Sequence, residues 1–425
     1  VNVVGTRTYF WGAAGYSYNP DTDRKVFFNA NFGQKPFTYT PPTGYVALCS
    51  KNISNEFVDV TDVSSEGSGK VVIRPQRFFD TVLYSGNGGT QSITGLEFSP
   101  DFVWIKMRSH SGDNHHLYDS VRGPVKTLFS NTTSAEQPND TDRLTSFDSN
   151  GFTLGNNYRV NGSGKTFVAW CWKAGGAAVT NNDGSGTSQV SANQEAGFSI
   201  VTYSGNASGS ASSGVYQTIG HGLGKAPKLI IFKARNGGES YHGWATHHHL
   251  LTDANTDYLK LNTTDARIQT DVDYMGSTLP TSSVFSLGFN FTTNESGKNY
   301  VAYCWTEIPG YSKMGVYRAN NSSNGAYFYC GFRPAFIMLK NADNGSAPWY
   351  IIDNKRNPEN ECRVSLKANT TDGEVTDSNF IDFLSNGFKL RTSGGYVNNS
   401  YHRIFYMAFA EQPGRTEFNL VTNAR

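Results

Sequence analysis

At 425 residues the chain is long enough for about three domains. Its 36 basic and 35 acidic residues leave a net charge of +1, which excludes the electrostatic footprint of a nucleic-acid or anionic-membrane binder. With 44 glycines, 14% aromatics, only 17% charged residues and no apolar run of the roughly 18 residues a membrane helix needs, the composition favours many short strands joined by turns.

In chain order, residues 1–77 read as an end piece. Asn29–Gln34 suits one strand, Pro36–Tyr45 an extended proline-pinned connector, and the stretch up to Pro75 a linker. The segment is too poor in apolar residues for a core of its own, and it lacks an initiator Met and a charged leader, so Val1 is expected not to be the native start.

From Phe78 onward the same pattern recurs three times. The first copy runs Tyr84-Ser85-Gly86, Pro100 to Lys106, Asn131-Thr132-Thr133, Gly151-Phe152 and Val168-Ala169-Trp170-Cys171-Trp172. The second runs Tyr203-Ser204-Gly205, Pro227 to Lys233, Asn262-Thr263-Thr264, Gly288-Phe289 and Val301-Ala302-Tyr303-Cys304-Trp305. The third keeps Tyr317, Pro334 to Lys340, Asn369-Thr370-Thr371, Gly387-Phe388 and Phe405-Tyr406-Met407-Ala408-Phe409. In each, a proline precedes a lysine by six residues across an apolar run. A period of about 105–130 residues exceeds the roughly 20–50 of a solenoid unit, so each copy is expected to be a domain with its own core, like beads on a string.

Within a copy, Phe102–Ile105 and Leu229–Phe232 are apolar runs too short for a buried helix and suit strands covered on both faces. Asn87-Gly88, Ser149-Asn150-Gly151 and Ser385-Asn386-Gly387 supply hairpin turns. The predicted fold class is all-β, as tandem antiparallel β-sandwich (jelly-roll-like) domains at 78–173, 196–308 and 309–412, with a Gly/Ser/Asn-rich linker at 174–195 and a tail at 413–425. Trp172 and Trp305 are expected inside their sandwiches. The five cysteines form no CxxC and leave one unpaired, so buried free thiols at Cys171 and Cys304, and folding in a reducing compartment, are expected.

Few motifs suggest chemistry. Gly162-Ser163-Gly164-Lys165-Thr166 lacks the earlier glycine of a phosphate-binding loop, and Ser296-Gly297-Lys298 repeats it, so it reads as a turn. His247 and His249 would share a strand face and are weak metal candidates; without nearby carboxylates or thiolates, an exposed polar segment is the simpler reading, and no cofactor is expected. Asp119 with Arg122, and Asp353 with Arg356, recur at equivalent places and read as turn ion pairs rather than catalytic acids. Ligand contact is expected where the copies differ, in loops that pair aromatic faces with amides: Tyr241, His242 and Trp244, Trp349 and Tyr350, and Tyr396, Asn398, Asn399, Tyr401 and His402. Equally, these aromatics could pack between copies or chains.

The phrases GNGGTQSITGLEFSPDFVWIKMRS, YDSVRGPVKTLFSNTTSAE, LTSFDSNGFTL and NGSGKTFVAWCWKAGG resemble a repeated domain of unknown function found in tail-fibre and other structural proteins of marine bacteriophages, notably those of cyanobacteria. The resemblance extends through HGLGKAPKLIIFK, ESGKNYVAYCW, GFRPAFIMLK and YMAFAEQP, covering residues 78–425. Residues 29–48 are similar to the last strand and exit of a SPRY-like sandwich. What the resemblance implies is a non-enzymatic virion structural protein, a tail fibre or tail-attached appendage made in the host cytoplasm. Its expected partners are two further copies of itself in a homotrimer, phage tail or baseplate proteins, and a host cell-surface glycan or protein. Arg425 would be the native C-terminus and the third copy the one that meets the host. The alternatives are a non-binding stalk or capsid decoration protein and, less favoured, a polysaccharide-degrading enzyme.

Overall fold

The proline–lysine runs become the strands Phe102–Met107, Leu229–Ala234 and Pro334–Asn341, with every residue of the first two buried. This follows from a computed structural model that describes residues 74–209, 214–394, 396–399, 401–411, 414–415 and 421–422. The expectations for residues 1–73, and most of the tail, lie outside the described residues.

The architecture is all-β. In each repeat an opening strand (Phe79–Ser85, Phe198–Ser204, Ser312–Arg318) pairs antiparallel with a closing strand (Thr166–Trp172, Asn299–Trp305, Arg403–Ala410). The closing strand pairs in turn with the proline–lysine strand, and that with a flanking strand, His116–Asp119, Trp244–His248 or Trp349–Asp353. A second sheet covers one face: Gln91–Thr94, Gly151–Leu154 and Leu144–Asp148 in the first repeat, Gln217–Gly220 with Val284–Leu287 in the second. In the third repeat both layers belong to one eight-stranded sheet that curls from Ser312–Arg318 round to Tyr327–Tyr329.

Because side chains alternate along a strand, each inner sheet has two apolar faces. Val103, Ile105, Ala169 and Cys171 face the first repeat's own second sheet. Phe102, Trp104, Trp170 and Trp172 point the other way and meet Phe198, Tyr303 and Trp305 of the second repeat and Phe336, Met407 and Phe409 of the third in one core. The second and third repeats divide likewise, with Cys304 and Ala408 outward and Trp305 and Phe409 inward. The beads-on-a-string expectation is therefore corrected: residues 73–425 are one compact unit. Trp172 and Trp305 are buried, but between repeats rather than inside sandwiches, with ring centroids 6.2 Å apart. The physical reason is that a sheet apolar on both faces needs cover on both, and the sister repeats supply the second cover.

The expected linker is corrected too. Val179–Asn181 and Ser188–Asn193 are strands that extend the second repeat's sheet beyond Phe198–Ser204. Poor in apolar residues, the segment forms structure by pairing its backbone with an existing sheet edge.

The shared landmarks turn out to be joints. Lys106 Nζ, with no exposure, donates to the Thr371 carbonyl of the third repeat (3.3 Å); Lys233 Nζ donates to Thr133 of the first (3.1 Å), and Lys340 Nζ to Thr264 of the second (2.9 Å). Each lysine thus reaches the Asn-Thr-Thr segment of a neighbour. At the start of each flanking strand a side chain also crosses to a neighbour: His115, just before the first, donates through Nε2 to the Lys367 carbonyl (3.0 Å), Trp244 Nε1 donates to Phe129 (2.8 Å) and Trp349 Nε1 to Lys260 (2.9 Å). Contacts running first to third, third to second and second to first make three head-to-tail interfaces that close into a ring. Within one chain the repeats form a pseudo-trimer.

The other landmarks brace each repeat. Tyr84, Tyr203 and Tyr317 hydroxyls donate to the carbonyls of Val160, Thr293 and Val397. Gly86 must be small, since a Cβ there would lie 2.3 Å from the Gly162 carbonyl oxygen.

Burial lowers the buried lysines, Lys106 to about 8 and Lys233 and Lys340 to about 7. Below pH 7 they are charged in the folded and unfolded chain alike, and the cost of burying charge is fully present. As pH rises from about 7 toward the unfolded value of about 10.4, the unfolded chain holds more protons and stability increases. Buried Cys171, Cys304, Cys330 and Cys362, all pushed up by burial, oppose this once unfolded thiols ionise near about 8.5. The melting temperature should therefore climb from pH 7 to 8.5, and climb less in Lys233→Met or Lys340→Met. A flat profile in the unaltered chain would contradict buried, depressed lysines.

Candidate functional site

Residues that serve the ring are not free to serve a ligand, and several expected contact residues fall in that class. Trp244 and Trp349 are buried at the joints described above, and Tyr350 is buried in the third repeat's own core. His242 has no exposure and lies between the carboxylates of Glu239 and Glu295, 2.6 Å from the latter. Asn398 is also fully buried: its Nδ2 donates to the carbonyls of Thr392 (2.6 Å) and Ser322 (2.9 Å), and its Oδ1 accepts from the Asn320 amide (2.9 Å). Asn161 and Asn294 do the same in the other repeats, receiving the amides of Asn87 and Asn206. His242, Trp244 and Asn398 are thus corrected from ligand contacts to internal braces.

The three histidines are not an exposed polar segment. His247 and His248 are buried, and His249 Nε2 donates to the Met314 carbonyl (3.0 Å). The equivalent residues explain why. Asp119 and Asp353 each hold an arginine three residues on, with Asp353 Oδ2 2.6 Å from Arg356 Nε. Each also accepts a donor across the ring, Asp119 from the Tyr303 hydroxyl (2.7 Å) and Asp353 from the Trp170 indole (3.1 Å). In the second repeat the Asp is His248, the Arg is Leu251, and the Tyr or Trp ring that would face it is replaced by Met407, which has no donor. A buried carboxylate without donors would be costly, and the set has changed together. Among the described residues no three His, Cys, Asp or Glu side chains converge to hold a metal ion.

What remains exposed is the third repeat's turn before its closing strand. Tyr396 is 37% and Tyr401 61% exposed, Asn399 is exposed, and His402 Nδ1 lies 3.2 Å from Asn341 Nδ2. Tyr401 has φ +57, in the left-handed region. The corresponding positions of the first two repeats are Gly164 and Gly297, with φ +71 and +78, in the turns that the sequence suggested at 162–166 and 296–298. A tyrosine is held where its sisters have glycine. Tyr241, 46% exposed, has its ring beside His242.

A second feature was not singled out from the sequence. Between the second and third repeats lies a cleft of about 660 Å³, lined by Lys225, Lys228, Thr306, Glu307, Lys313, Tyr329 and the glycines Gly310 and Gly331. Glu307 is engaged by the Met314 amide (2.9 Å) and Lys313 Nζ (3.3 Å). Tyr329, 66% exposed, stands on the edge strand Tyr327–Tyr329, whose middle residue Phe328 packs on the core. Two outward tyrosines on a strand whose outer face should be polar were the available signal.

The chain matches the family described as "Domain of unknown function (DUF7483)" over residues 74–413, and it belongs to that family. The match takes in all three repeats in one stretch, the same residues that close the ring. No curated protein and no solved structure matches the chain, and no helix among the described residues is long and apolar enough to cross a membrane.

Proposed function

We propose that the chain is a bacteriophage virion structural protein, a tail fibre or tail-attached appendage, whose ring of repeats is a rigid mount for contact with a host-surface glycan. The observation that carries this is Tyr401. A non-glycine residue in left-handed backbone costs about 1–2 kcal/mol, and such strain collects at functional positions; here it falls on an exposed aromatic residue in the turn that also carries Tyr396, Asn399 and His402. Rigid tyrosines among adaptable polar groups are a recurrent recognition surface. The phage setting rests on the sequence resemblance. Binding is favoured over hydrolysis because Asp119 and Asp353 are consumed by buried pairs and the cleft's one carboxylate, Glu307, is engaged. A pseudo-trimer within one chain also suits the tip of a threefold fibre.

Adsorption assays test this. Purified chain should inhibit phage adsorption to host cells, and Tyr401→Gly should weaken that inhibition while folding stability stays level or rises by about 1 kcal/mol. Undiminished inhibition by Tyr401→Gly combined with Tyr396→Ala would exclude this turn.

A further inference from the structure

We infer that the cleft between the second and third repeats binds an acidic oligosaccharide, one carrying carboxylate or sulfate groups. Its volume of about 660 Å³ falls within the usual range for ligand pockets, roughly 300–1,000 Å³. Three lysines face one glutamate there. Lys225 and Lys228 have no carboxylate within ion-pairing distance among the described residues, while Lys313 is tied to Glu307. Unpaired ammonium groups round a concavity favour an anion.

The aromatic geometry selects a sugar. Tyr327 and Tyr329 are both exposed and two residues apart on one strand, so their side chains share a face about 7 Å apart. Tyr329 lies in the cleft and Tyr327 continues the track along the sheet edge, where its hydroxyl is fixed by Asn386. Successive pyranose rings can stack on such a pair while their acidic groups turn to the lysines. Gly331, at φ +84, lies against the hydroxyl end of the Tyr329 ring and lines the cleft with it. The first repeat has Asp101 where the second has Lys228, and this carboxylate is occupied by the amides of Ala174 and Gly176. The cationic cleft is thus particular to this junction. It lies at the Ala410 end of the closing strand Arg403–Ala410, whereas Tyr401 precedes the Arg403 end, so the two surfaces are distinct.

The inference rests on the glycan-binding reading for its biological setting, and titration calorimetry with the full chain tests it separately. A galacturonic-acid hexamer should bind, more weakly as salt rises, and maltohexaose should not. Lys225→Ala with Lys228→Ala, and separately Tyr329→Ala, should each lower affinity about tenfold or more without shifting the melting temperature. Equal binding of maltohexaose, equal or tighter binding of polyglutamate, or unchanged affinity in both variants would overturn it. If the lysine variant bound the hexamer poorly yet the intact chain failed to inhibit adsorption, the cleft would stand and the host-adsorption reading would fall. If the intact chain inhibited adsorption but ignored the hexamer, the reverse would hold.

Discussion

Replacing Trp172 by alanine should cost about 3–5 kcal/mol and lower the stability of all three repeats together. Its ring centroid lies 4.9 Å from that of Phe79 and 5.3 Å from Phe102 in its own repeat, 6.2 Å from Trp305 in the second, and 5.8 and 5.7 Å from Phe336 and Phe409 in the third. A cavity there removes contacts from every inner sheet. Urea unfolding followed by circular dichroism and by tryptophan fluorescence should give one coincident transition for the unaltered chain and, at lower denaturant, one for Trp172→Ala. Residues 78–173 alone should not fold, because Phe102, Trp104, Trp170 and Trp172 would face water. Three separable transitions, or a folded isolated repeat, would restore independent domains.

How far the sequence could go is clear from those same strands. The strand pattern and the two-faced burial of Phe102–Ile105 were readable, because alternation and apolar runs are local properties. The partner of the second face was not. In Val168-Ala169-Trp170-Cys171-Trp172 the small residues face the repeat's own second sheet and the large ones the shared core, a division by size that only the closed ring explains. The lysine ending each apolar run carries three donors, and one of them reaches a neighbour's carbonyl, a contact more than 70 residues away in sequence at every joint that no local pattern announces.

The candidate site was legible in part. The turn at 394–402 was singled out for its tyrosines and amides, and Tyr396 and Tyr401 are exposed there. Asn398 reads the same way in the sequence, because an amide beside tyrosines looks alike whether it meets a ligand or a backbone. The equivalence of Asn161, Asn294 and Asn398 was hidden by differing flanks, Val-Asn-Gly, Thr-Asn-Glu and Val-Asn-Asn. The cleft is built from three separate segments, and no window of sequence brings them together.

Reversing one charge should show how the ring keeps its order. Just past each buried lysine stands Arg108, Arg235 or Asp343, and five residues past each Asn of the Asn-Thr-Thr segments stands Glu136, Arg267 or Glu374. The observed ring pairs Arg108 with Glu374, Arg235 with Glu136 and Asp343 with Arg267, at 2.7, 3.0 and 2.9 Å. The opposite cyclic order would set Arg108 against Arg267 and Asp343 against Glu136, leaving only Arg235 with Glu374 attractive. A ring of three second repeats from different chains would likewise set Arg235 against Arg267. Like charges placed together disfavour the wrong partner, so the inverted third joint encodes both the order and closure within one chain. Arg267 also pairs with buried Asp257 (3.1 Å). Arg267→Glu should therefore cost about 3–5 kcal/mol, as for a buried ion pair that loses one partner, and increase exchange of repeats between chains, read as dimers and larger species by light scattering. Adding Asp343→Arg should restore an attractive third joint, but the introduced carboxylate would still face Asp257 and the introduced guanidinium would face Arg403, which pairs with Asp343 at 2.8 Å, so the readout of order is the oligomer distribution rather than stability. An oligomer distribution unchanged by Arg267→Glu would show that shape rather than charge sets the order.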